Sequence, residues 1–196
     1  MADHIGSVAR RSEWDIERLA TAVRRELGVA PGARIAMQPV LEMALDDIYP
    51  GAYYTIEFDC DMGGAEGRTD HFEPKISLSA STYVGLQIAD PRARMTVAHE
   101  LGHLLMHTRQ PVYHYSSRAR DRHVDPEWQA TYFAAALLMP AAAFRKMRTV
   151  KQAKQAFGVS RNAALRRARD LRHPIIDDLV RSAARKKKER GIHHAP

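Results

Sequence analysis

The sequence predicts an α+β fold: a small β-sheet packed on a helical body that carries an HExxH helix, mainly α in the C-terminal half. Three observations carry this expectation. Residues 53–58 alternate in Tyr, Thr, Ile, Glu and Phe, and Lys75–Ser79 is a second short run of strand type. From residue 81 to about 171 nearly everything reads as helix. Two Asp-Pro pairs, at 90–91 and 125–126, are helix starts with aspartate at the N-cap and proline in the first position.

The elements follow in order. Ser12 with Asp15 three residues on is a capping box, opening a helix with the apolar stripe Ile16, Leu19, Val23 and Leu27 and ending at Gly28. A short helix over 39–48 turns Leu41, Leu45 and Ile48 inward before the Pro50-Gly51 break. Between the two strands, residues 59–70 with Gly63, Gly64 and Gly67 read as a turn or hairpin loop. The helix from Pro91 runs to about His107, and a polar loop rich in Arg, Tyr and His spans 108–125. The second Asp-Pro helix stops at Pro140, and two more helices flank the Gly158-Val159-Ser160 turn.

At 196 residues and 45% apolar content, the chain holds one packed domain of roughly 100 to 150 residues with an appendage. We place the main domain at 1–150, a helix-turn-helix-like pair packed on it at 151–180, and a basic, disordered tail at 181–196. The net charge of +7 is uneven: residues 151–196 carry 13 Lys and Arg against 4 Asp and Glu. That asymmetry points to an anionic partner for the C-terminal part, DNA included, or to a solvated tail. No apolar run approaches the ~18 to 20 residues of a bilayer crossing, and the N-terminus lacks an apolar signal region. With Cys60 the single cysteine, no internal disulfide forms and a reducing cytoplasm is the expected compartment.

Chemistry concentrates in His99-Glu100-Leu101-Gly102-His103. Residues four apart on a helix lie about 40° apart around the axis and about 6 Å along it, so both imidazoles leave one face and can share an ion. Catalytic zinc takes such nitrogens and keeps a position for water, beside which Glu100 projects as a base. A third ligand is needed. Met106 and Arg109 stand where a metzincin has Gly and His, and His107 lies too far along the axis to share an ion with His99. His107 is expected to be a polar residue at the helix end, near the C-terminal dipole. Glu127, 24 residues after His103 at the start of the next helix, can complete a His2Glu site.

AHELGHLLMH at 98–107, followed by EWQATYFAAALLMP at 127–140, resembles the ImmA/IrrE family of zinc metallopeptidases. The resemblance covers about residues 75–171. It implies Zn2+ held by His99, His103 and Glu127, with Gln129 the poorer alternative because a carboxamide is a weak zinc ligand. The family has Asn or Asp where this chain has Thr131, a position from which the side chain can hydrogen-bond a zinc-bound histidine. It also implies a protein substrate, a helix-turn-helix transcriptional repressor, and a role in regulating transcription under stress.

Other residues offer less. Tyr113, His114, Tyr115 and His123, in the loop between the two helices, are candidates for stabilising charge in the transition state, or ordinary loop residues. Asp59, Asp61 and Asp70 sit in a glycine-rich turn, where acids serve turn chemistry. Residues 151–171 have the cadence of a helix-turn-helix, with Arg161 and Arg166 as candidate nucleic-acid contacts. The alternative is that Phe157, Val159, Ala164, Leu165 and Ala168 pack these helices on the body, which we favour. The expected function is hydrolysis of a peptide bond in a regulatory protein. The competing class is a DNA- or repressor-binding module, or a toxin-antitoxin component, with a structural or vestigial zinc site; retention of Glu100 speaks against it.

Overall fold

The computed structural model describes residues 8–111 and 121–178. Helix α1, Glu13–Glu26, starts with the expected capping box: Ser12 Oγ accepts from Asp15 N at 3.2 Å, and Ser12 N donates to Asp15 Oδ2 at 3.0 Å. Its stripe of Ile16, Ala20 and Val23 is buried. The helix expected over 39–48 is two short pieces, α2 (Met37–Met43) and α3 (Leu45–Ile48), separated at Ala44.

The sheet differs from expectation in two respects. Strands β1 (Tyr53–Glu57) and β3 (Lys75–Ser79) are parallel neighbours, so no hairpin joins them, and residues 59–70, read as a turn or hairpin loop, contain a third strand, β2 (Gly67–Thr69). β2 pairs antiparallel with β3, giving the order β1-β3-β2. Three residues beginning with glycine are too few to show alternation, so this strand exists through its partner rather than its own pattern. Ile76 and Leu78 of β3 are fully buried and tie the sheet to the helices.

Helices α4 (Ala80–Gln87) and α5 (Pro91–His107) follow. As the Asp-Pro signals predict, Asp90 Oδ1 accepts from Arg92 N and Ala93 N, and Asp125 Oδ1 caps α6 (Pro126–Leu138) in the same way. α5 and α6 pack closely because residue 102 is glycine: a Cβ there would come within 3.0 Å of Phe133 Cδ1 and 3.1 Å of Ala130 Cα. This close approach brings the start of α6 to the histidines of α5.

After α7 (Ala141–Phe144), helices α8 (Val150–Phe157) and α9 (Arg161–Asp170) flank Gly158, whose φ of 61° is the left-handed cap of α8. Phe157, Val159, Ala164 and Ala168 join the main core, with Leu165 partly buried against it. Two buried arginines seal the junction. Arg94 of α5 donates to the carbonyls of Phe157, Gly158 and Ile35. Arg167 of α9, wholly buried, donates Nε to Met139 O, pairs with Glu17 at 2.7 Å and lies over the Tyr132 ring. The arginines of α9 therefore do not share one solvated face: Arg167 belongs to the core, and Arg166 and Arg169 are exposed. No helix among the described residues is long and apolar enough to cross a membrane. The tail at 181–196 lies outside the described residues.

Candidate metal centre

Two helix starts build the centre. α5 carries His99 and His103 one turn apart, and the Asp125 cap places Glu127 in the first turn of α6. Nε2 of His99 lies 3.0 Å from Nε2 of His103, and the Glu127 carboxylate reaches each of these nitrogens at 3.3 Å. A tetrahedral ion with arms of about 2.0 Å separates its ligands by about 3.3 Å. Glu127 reaches His99 through Oε2 and His103 through Oε1, and with one donor atom taken from each residue the three lie within 4.8 Å of one another, close enough to hold one ion. Hydrogen bonds from His103 and His99 hold the Glu127 carboxyl well below the usual carboxylate range.

Glu100 leaves α5 on the side of β2. It is buried, and its Oε2 accepts from Thr69 Oγ1 at 2.8 Å. The same hydroxyl lies 2.9 Å from the Glu100 carbonyl, so β2 fixes both the carboxylate and its helix turn. Gly67 is required opposite: a Cβ there would stand 2.8 Å from Glu100 Cγ. Gly67, Thr69, His99, Glu100, His103 and Glu127 line one cleft of about 530 Å³. A second depression of about 300 Å³, reaching Met95, Thr96 and Thr131, shares His99 and Glu100 and extends the cleft past the histidines.

Behind the donors, Thr131 Oγ1 lies 3.3 Å from His99 Nδ1, where the sequence suggested it. His107 is the last residue of α5, the helix-end position expected of it, and it is buried there, with Nδ1 3.0 Å from His103 Nδ1 and Nε2 3.0 Å from Gln129 Oε1. Burial pushes its imidazolium pKa down to about 4. The sequence pointed to His107 as a helix-end polar residue and to Gln129 as a poor ligand, and neither was read as a partner of a ligand. The signal was present in the third histidine of the i, i+4, i+8 stripe.

The remaining candidates have other partners. His123 spends its ring nitrogens on Asp121 and Glu13. Asp59 accepts from Ser81 N in the first turn of α4. Asp70 lines the cleft but accepts from Phe72 N and Glu73 N of its own turn, and Cys60 is exposed. Arg161 pairs with Asp177, leaving Arg166 the freer of the two suggested nucleic-acid contacts. Tyr113, His114 and Tyr115 lie outside the described residues.

Residues 61–169 match the Peptidase_M78 family, described as the IrrE N-terminal-like domain. Among solved structures the chain is similar to a Mycobacterium tuberculosis transcriptional regulator, at 16% identity and a TM-score of 0.53. The likeness covers 78% of this chain and 46% of that one, and at this identity it is a likeness of fold. A search of curated proteins returned no match.

Proposed function

Because the chain belongs to the Peptidase_M78 family, we propose that it is a zinc-dependent endopeptidase that cuts a regulatory protein. The observation that carries this reading is a pair of imidazole nitrogens 3.0 Å apart, each 3.3 Å from an oxygen of the Glu127 carboxylate, with the buried carboxylate of Glu100 next to them in the same cleft. Two imidazoles and one carboxylate suit Zn2+ and leave a fourth position free. Once bound, zinc supplies a water acidified toward pKa ~7 and a polarised scissile carbonyl.

Glu100 takes the proton from the attacking water and returns it to the leaving amine. Thr69 donates to one carboxylate oxygen of Glu100, leaving the other for the proton. Strand β2 offers a place for the substrate backbone. In its antiparallel register with β3, Glu66 O and Asp70 N bond toward β3, so the backbone groups of Gly67 and Thr69 point to the free edge. An extended peptide adding to that edge would lie along the cleft beside Glu100. The helix-turn-helix repressor remains the proposed substrate, the cytoplasm the proposed compartment, and Tyr113, His114 and Tyr115 proposed contributors from outside the described residues.

The test is Glu100→Gln. It should keep fold and zinc, since Glu100 is no ligand, and lose peptide hydrolysis by about 10²-fold or more. Turnover unchanged in that variant would remove Glu100 from the mechanism. A zinc-loaded wild type that cleaves no repressor from its own genomic neighbourhood would move the reading to a binding module.

A further inference from the structure

His103 is held from behind by a row of groups whose hydrogen bonds have a defined sense. Its Nδ1 meets His107 Nδ1 at 3.0 Å, and His107 Nε2 meets Gln129 Oε1 at 3.0 Å. Gln129 Nε2 donates to the backbone carbonyls of Ala9 at 2.9 Å and His123 at 2.6 Å. That last link decides the others. Backbone carbonyl oxygens only accept, so the Gln129 amide must aim its NH2 at them; turned over, it would set its own oxygen against two others. Oε1 is left facing His107, and an amide oxygen also only accepts, so His107 carries its proton on Nε2.

His107 is 5% exposed and Gln129 fully buried, and among the described residues no carboxylate hydrogen-bonds the His107 ring. Nε2 of His103 faces His99 and Glu127, and when an ion takes its lone pair the proton of that ring stands on Nδ1. His107 Nδ1, 3.0 Å away on a ring that gives its Nε2–H to Gln129, is then the acceptor.

We propose that His107 and Gln129 are positioning residues: held by Gln129, the His107 ring accepts the Nδ1–H of His103 and keeps its Nε2 turned toward His99 and Glu127 for an ion. The inference rests on the metal-centre reading above and deepens it. Neither residue touches the ion or the substrate; both act through His103. The second histidine is treated differently. His99 Nδ1 meets only the Thr131 hydroxyl, which rotates to donate or accept, so Thr131 orients His99 without selecting its tautomer.

Two measurements on the full chain test this. In ¹⁵N-labelled wild type loaded with Zn2+ alone, imidazole NMR should place the proton on Nε2 of His107 and on Nδ1 of His103. A proton on His107 Nδ1 would overturn the proposal. In the variants, Zn2+ competition with a chromophoric chelator should show a 10- to 100-fold loss of affinity in His107→Leu. His107→Gln, whose amide offers an acceptor and a donor side by side as the neutral ring does, should restore it. Unchanged affinity in His107→Leu would equally overturn the proposal, and should that variant not fold, the wild-type spectrum decides alone. Wild type with no affinity for Zn2+ would instead sink the metal-centre reading, whereas Zn2+ held equally by wild type and His107→Leu would sink the relay alone.

Discussion

At the residue scale the centre divides into donors, base and supports, each with its own expected loss. His99→Ala and His103→Ala each leave two donors and should abolish tight zinc binding, as metal analysis of purified protein would read. Glu127→Ala should weaken zinc as well; full occupancy there would refute its place as third ligand. Thr131→Val removes only a 3.3 Å contact, so its effect on zinc affinity should be smaller than that of His107→Leu. Gly67→Ala is more specific. The added methyl would stand 2.8 Å from Glu100 Cγ, so this variant should retain zinc and lose hydrolysis. Full activity in Gly67→Ala would show that the carboxylate has freedom the packing denies it.

At the scale of elements, α5 and α6 matter because their contact sets the distance from His99 and His103 to Glu127. Gly102→Ala gains about 1 kcal/mol of helix propensity but forces a methyl against Ala130 Cα and the Phe133 ring. Overpacking of this kind costs about 1 to 3 kcal/mol, and a backbone atom cannot turn aside. We expect net destabilisation in denaturant melts and weaker zinc binding, since α6 carries Glu127 away as it yields. The adjacent arginines of α9 give a cleaner contrast. Arg167→Ala strands Glu17 beside a buried hole and should cost about 3 kcal/mol or more. Arg166→Ala, on an exposed side chain, should stay within about 0.5 kcal/mol. Equal effects from the two would mean that α9 does not pack as described.

For the whole molecule, α8 and α9 share the core of α5 and α6 through Phe157, Val159 and Ala164, with Arg94 and Arg167 bonded across the junction. We therefore expect one cooperative thermal transition, with no separate melting of residues 150–170. Zinc at 100 times its Kd should add about 2.7 kcal/mol to stability, and a chelator should remove it. A chelator-insensitive melting temperature would mean that no ion binds the folded state in preference to the unfolded one.

What the sequence by itself determined is what local rules encode. The Asp-Pro caps set the starts of α5 and α6, helical spacing put His99 and His103 on one face, and the two motifs together singled out Glu127. What only the tertiary structure decided lies in contacts between residues distant along the chain. β2 has no pattern of its own and exists as the partner of β3. His107 and Gln129, 22 residues apart, look like spare polar residues until α5 and α6 close over them and two carbonyls give their hydrogen bonds a sense. Arg167 is indistinguishable from Arg166 in composition, and only burial against Glu17 and Met139 separates them. The physical reason is common to all three. Periodicity and capping report hydrogen bonds made within a few residues, whereas a buried polar group is defined by the distant partner that compensates its loss of water.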